Sequence, residues 1–131
     1  MDHGILVYEY NMLIIDRFQA RSTVEIAPGA HVITVDTRFA SPQPTAPATV
    51  TLAVDGAQVG AVVVARTVPA AFSASETFGV GVDLGSPVSP DYFDRRPFRF
   101  DGTIARVDVE VFDPAPPRTI QNERPIRWTC R

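Results

Sequence analysis

The chain has 131 residues, 21% of them charged, with a formal charge of −3. That size and balance describe one globular domain able to bury a core. All twelve basic residues are arginine, and the acidic excess excludes the basic footprint of a nucleic-acid or anionic-membrane binder. A single cysteine, Cys130, excludes an internal disulfide framework. The opening stretch lacks the basic and long apolar pattern of a leader, and no apolar run approaches the roughly 20 residues that cross a bilayer. A cytoplasmic protein is expected, without a membrane or nucleic-acid partner.

Taken in chain order, period two dominates. "GILVYEY" and "MLIIDRF" read as β-rich runs joined near Asn11, followed by "RSTVEI" and a Pro28-Gly29 turn. "HVITVDTRF" sets Ile33, Val35 and Phe39 against Thr34, Asp36 and Arg38. The Pro-rich "SPQPTAP" at 41–47 reads as a connection between sheets. "ATVTLAV" alternates Ala48, Val50, Leu52 and Val54 with Thr49, Thr51 and Ala53, and Asp55-Gly56 then predicts a tight hairpin into "AQVGAVVVA". "TIARVDVEVF" places Ala105, Val107, Val109 and Val111 on a dry side and Arg106, Asp108 and Glu110 on a wet one.

No stretch repeats apolar residues at three and four, and twelve prolines interrupt any helix. The expectation is an all-β fold of two antiparallel sheets packed as a sandwich over residues 1–112. Residues 113–131, rich in Pro and Arg and without alternation, are expected to form a flexible tail.

Candidate chemistry gathers at 78–101. Asp83, Asp91, Asp94 and Asp101 raise the possibility of calcium, but their spacing fits no EF-hand, and Asp also caps turns locally. Gly79, Gly81, Gly85, Pro87 and Pro90 suit a corner. Arg95, Arg96 and Arg99 beside those acids read as a surface ion-pair cluster, with sulfate binding the sharper alternative. Tyr92 and Phe93 are the better sugar-stacking candidates among aromatics that include Tyr8, Tyr10, Phe39, Phe72, Phe78, Phe98 and Phe112, most of them expected in the core. Trp128 in the tail is free to dock on the domain or on a partner. His3 and His31 come with no nucleophile elbow, and no His/Cys pairing suits zinc. No catalytic residue, metal ligand or cofactor is therefore assigned.

"LVYEYNMLIIDRF", "APGAHVITVDTRF", "VDGAQVG", "RTVPAAFSASETFGVGVDLGSPVSPDY" and "PFRFDGTIARVDVEV" together resemble, in unbroken order over residues 4–112, the C-terminal β-sandwich domain of bacterial arylsulfatases. The resemblance implies a concanavalin- or laminin-G-like jelly roll attached to a sulfatase catalytic domain, with the first strands of the sandwich expected before Met1. In that family the formylglycine precursor lies in a C-x-P-x-R motif of the catalytic domain. Cys130 is followed only by Arg131, so the motif is absent here. A non-catalytic accessory domain is expected, a scaffold for a sulfatase catalytic domain or a self-associating chain that pairs through an open sheet edge. A lectin-like module that binds carbohydrate at 83–99 is the alternative.

Overall fold

A computed structural model describes residues 1–69, 79–83, 88–95, 99–112 and 126–130, the last as backbone. Seven strands occur among them: β1 Val7–Met12, β2 Asp16–Arg21, β3 Ile33–Phe39, β4 Ala48–Val54, β5 Ala57–Val64, β6 Val107–Glu110 and β7 Ile126–Cys130. The one helical element described is a short 3₁₀ segment, Pro90–Arg95. The fold is all-β, and every strand pairing is antiparallel. β1 and β2 form a two-stranded sheet, and the other five form a second sheet in the order β5-β4-β3-β7-β6. No described helix is long and apolar enough to cross a membrane.

The β4–β5 hairpin follows its sequence closely. Ala48, Val50, Leu52 and Val54 are all buried, while Thr49 is exposed. Asp55 and Gly56 both have positive φ, 51° and 83°, which is the backbone of a type I′ turn and the reason Asp-Gly stands there. A bulge at Val59 interrupts the ladder, because Leu52 pairs Gly60 while Ala53 pairs Gln58. Val59 is turned into the core, and its carbonyl accepts the Thr23 amide at 2.8 Å. A side chain at Gly60 would place its Cβ 2.7 Å from the Arg21 carbonyl oxygen. The bare glycine is what lets the β2 backbone lie against β5.

The inward row of the β1–β2 hairpin supplies Tyr8, Tyr10, Phe18 and Ala20. They meet Val50, Leu52, Val62 and Val64 of the larger sheet. Val50 and Leu52 are fully enclosed at 0% exposure, and each such burial contributes about 2 kcal/mol. The Tyr10 hydroxyl accepts the Val68 amide at 2.8 Å, which spares the ring's polar end an unpaired burial.

Three expectations need correction. The first two strands do not join near Asn11, since β1 continues to Met12 and Leu13-Ile14-Ile15 make the turn. An apolar run reads as strand, but the Asn11 side chain accepts the Ile14 amide at 2.7 Å and the Met12 carbonyl accepts that of Ile15 at 3.0 Å, which closes the turn instead. β2 ends at Arg21, inside "RSTVEI", where Ser22 turns its hydroxyl onto the Leu6 amide and the Val24 carbonyl. "TIARVDVEVF" shortens to β6, and Val109 and Val111 on its expected dry side are exposed. Residues 126–130 of the expected tail are β7, paired with β3 on one side and β6 on the other. Ile126, Trp128 and Thr129 favour extended backbone, a preference that the surrounding Pro and Arg obscure. Residues 113–125 lie outside the described residues.

Candidate functional site

The β1–β2 hairpin has two differently employed faces. Register pairs Val7 with Arg21, Glu9 with Gln19 and Asn11 with Arg17, so this polar row points away from the core that Tyr8 and Ala20 enter. Segments from 79 to 104 cover the row and leave a cleft of about 760 Å³ between. Val7, Glu9, Gln19 and Arg21 form its floor, and Asp83, Tyr92, Arg95, Arg99, Phe100 and Asp101 stand around it. The volume is within the range of small-molecule sites, roughly 300 to 1,000 Å³.

A fixed polar network ties floor to wall. Arg17 donates from Nε to Glu9 Oε1 at 2.7 Å and from Nη2 to Glu9 Oε2 at 3.1 Å, a bidentate pair. The same Nη2 reaches Ser89 Oγ at 2.9 Å and Asp91 Oδ1 at 3.0 Å. Gln19 adds donations to Glu9 and Asp91. The Glu9 side chain retains only 5% exposure. Burial pushes its carboxyl up, but hydrogen bonds from Arg17, Ser89 and Gln19 outweigh this and hold it below the usual range. Arg17 likewise holds the Asp91 carboxyl down.

A second clamp closes the cleft's other end. The chain turns tightly at His3 and Gly4, both at positive φ, with Asp2 and Ile5 exchanging amide and carbonyl. This presents the Asp2 carboxylate to Arg21 on one oxygen and Arg95 on the other, each at 3.0 Å. The hydrogen bonds from Arg21 and Arg95 lower its pKa to about 2. Tyr92 donates its hydroxyl to Asp83 at 3.3 Å, and burial raises the phenol above its ordinary value.

The candidates named in the sequence thus divide. Asp83, Asp91, Asp101, Tyr92, Arg95 and Arg99 all reach one cleft. Asp94 and Phe93 are exposed and do not line it. Within the expected ion-pair cluster, Arg95 pairs with Asp2 and Asp91 with Arg17, both far away in sequence. The opening of the loop is still a corner, with Gly81 at φ +73° and its carbonyl accepting the Phe100 amide at 2.8 Å. Phe72, Phe78, Gly85, Pro87, Arg96 and Phe98 lie outside the described residues, as do the side chains of Trp128 and Cys130. Among the described residues, no three His, Cys, Asp or Glu side chains converge as a metal ion would require.

His3 projects into solvent, with its Nε2 3.9 Å from Asp2. His31 is a structural clasp: Nδ1 lies 2.7 Å from Asp55 Oδ2 and Nε2 2.8 Å from the Ala27 carbonyl. Asp55 first and Ala27 second raise its pKa, while Asp55 Oδ1 takes the Val32 amide at 2.8 Å. Asp2, Glu9, Arg17, Gln19 and Arg21 were missed by sequence reasoning. Their one signal is the polar row that alternation assigns to the hairpin's outer face.

Three comparisons with known proteins, by family model, by curated sequence and by solved structure, match nothing to this chain.

Proposed function

We propose that the chain is a non-catalytic β domain that works by binding, with the cleft over the β1–β2 hairpin as its contact surface. This is the accessory role expected from the resemblance to arylsulfatase C-terminal domains, which accompany a catalytic domain. One observation carries the reading. Three of the carboxylates lining the cleft, Asp2, Glu9 and Asp91, are each clasped by guanidinium groups at 2.7 to 3.0 Å and have lowered pKa values. A general acid or base works best with a pKa near the operating pH, so these groups are poor proton carriers and good fixed charges. Purified protein incubated with a chromogenic aryl sulfate is expected to give no turnover, and turnover that follows the protein through purification would overturn the assignment.

Carbohydrate is the second reading, favoured by the mixture of groups on the wall. Tyr92 and Phe100 offer ring surface beside acceptors on Asp83 and Asp101 and donors on Arg99. A sugar hydroxyl both donates and accepts, so it can use both kinds at once. Calorimetric titration with a glycan panel, with and without Ca²⁺, is expected to show binding that weakens in Phe100→Ala. Absence of heat in both conditions would leave the accessory role alone.

A further inference from the structure

The cleft over the β1–β2 hairpin carries its charge unevenly. At one end a single guanidinium, Arg17, serves two carboxylates, Glu9 at 2.7 Å and Asp91 at 3.0 Å. At the other end a single carboxylate, Asp2, serves two guanidinium groups, Arg21 and Arg95, each at 3.0 Å. The first cluster is left with a negative charge in excess and the second with a positive one. Floor and wall agree on this direction, because the 3₁₀ segment Pro90–Arg95 carries Asp91 in its first turn and Arg95 in its last. Of the other charged groups on the lining, Arg99 and Asp101 are equal and opposite, Asp83 accepts the Tyr92 hydroxyl, and His3 stands beside Asp2.

Both ends can take a further partner without giving up these bonds. The Asp91 and Arg95 side chains are 59% and 56% exposed. A carboxylate has more lone pairs, and a guanidinium more N–H groups, than the bonds described occupy. The separation of the ends follows from the strand. Arg17 and Arg21 stand four residues apart on one face of β2, and at about 3.4 Å per residue their Cα atoms lie roughly 13 Å apart. Gln19 is midway between them. Its amide nitrogen is spent on Glu9 and Asp91, which leaves its carbonyl oxygen to accept from a ligand crossing the floor.

We infer that the cleft takes a short extended peptide lying along β2, its ammonium end at Glu9 and Asp91 and its carboxylate end at Arg21 and Arg95. The inference rests on the reading of the cleft as a contact surface and names the ligand class that fits it. Four extended residues span at most about 13 to 14 Å, the separation of the two ends. Their termini bring one charge of each sign, and their backbone N–H groups pass Gln19. A ligand charged with one sign throughout meets an opposite charge at one end and a like charge at the other, so the cleft discriminates against it.

Tetra-alanine with free termini is the probe, titrated calorimetrically into the full chain beside its N-acetylated, C-amidated and doubly blocked forms. The free peptide is expected to bind saturably, and each single block to weaken it about three- to tenfold. Di-alanine reaches at most about 7 Å and is expected to respond to one block only. Arg95→Gln is expected to remove most of the effect of amidation and to keep that of acetylation, and Asp91→Asn to do the reverse. Equal binding by free and doubly blocked tetra-alanine would overturn the inference while leaving the cleft a contact surface. Absence of saturable binding by every form would overturn it as well, whereas the reading beneath it falls only to aryl sulfate turnover or to ligand-induced shifts that avoid the cleft.

Discussion

Ile14 has φ 66° and Leu13 φ 53°, where a side chain's Cβ crowds the following carbonyl at a cost of roughly 1 to 2 kcal/mol. Ile14 gains no packing in return, being 81% exposed. Ile14→Gly is therefore expected to stabilise the protein by about 1 kcal/mol, read as a higher urea midpoint at unchanged slope. A lower midpoint would mean that the side chain has a role in folding that its exposure does not reveal. Arg17→Ala acts in the opposite direction, since it strands the enclosed Glu9 carboxylate without its main counter-ion. A loss of stability is expected, read as a lower urea midpoint, and Glu9→Gln in the same background should recover part of it. His31 gives the pH dependence. Its folded pKa is raised above 6.5, so its contribution is complete below 6.5 and is lost as pH rises through the folded value. The depressed carboxyls do the reverse: Asp2 contributes above its ordinary 3.8 and loses that contribution as pH falls toward about 2. Thermal melts of wild type should decline from pH 6 to 8.5, and His31→Gln should be flat across that interval. Equal slopes in both would remove His31 as the cause.

The strands differ in how far local chemistry dictates them. β4, its Asp-Gly turn and β5 were legible because alternation, β-branched residues and a positive-φ dipeptide all agree. The bulge inside β5 was not, because its cause is the β2 backbone pressing on Gly60, a contact from a distant part of the chain. Gly60→Ala is accordingly expected to cost about 1 to 3 kcal/mol in chemical denaturation, where an ordinary edge-strand glycine would gain from the change. Leu13-Ile14-Ile15 misled because hydrophobicity is the main strand signal and here it marks a turn fixed by the Asn11 side chain. β7 misled for the opposite reason. Five residues of strand character next to Pro125 carry too little local pattern, and two flanking strands decide their conformation.

Across the whole molecule, the β1–β2 hairpin is used on both sides: its aromatic row closes the core, and its polar row floors the cleft. The cleft wall was legible as a local cluster, since Asp83, Asp91, Tyr92, Arg95, Arg99 and Asp101 lie within twenty residues of sequence. The floor was not, because Arg17 meets Asp91 and Asp2 meets Arg95 only after the chain has folded back on itself. The most direct test of the cleft as the working surface is amide shift mapping on ¹⁵N-labelled protein titrated with a glycan panel. The account predicts saturable shifts at Glu9, Gln19, Arg21, Tyr92 and Phe100, with the β4–β5 turn at Asp55-Gly56 unchanged. Saturable binding that moves residues elsewhere and leaves those five still would contradict it.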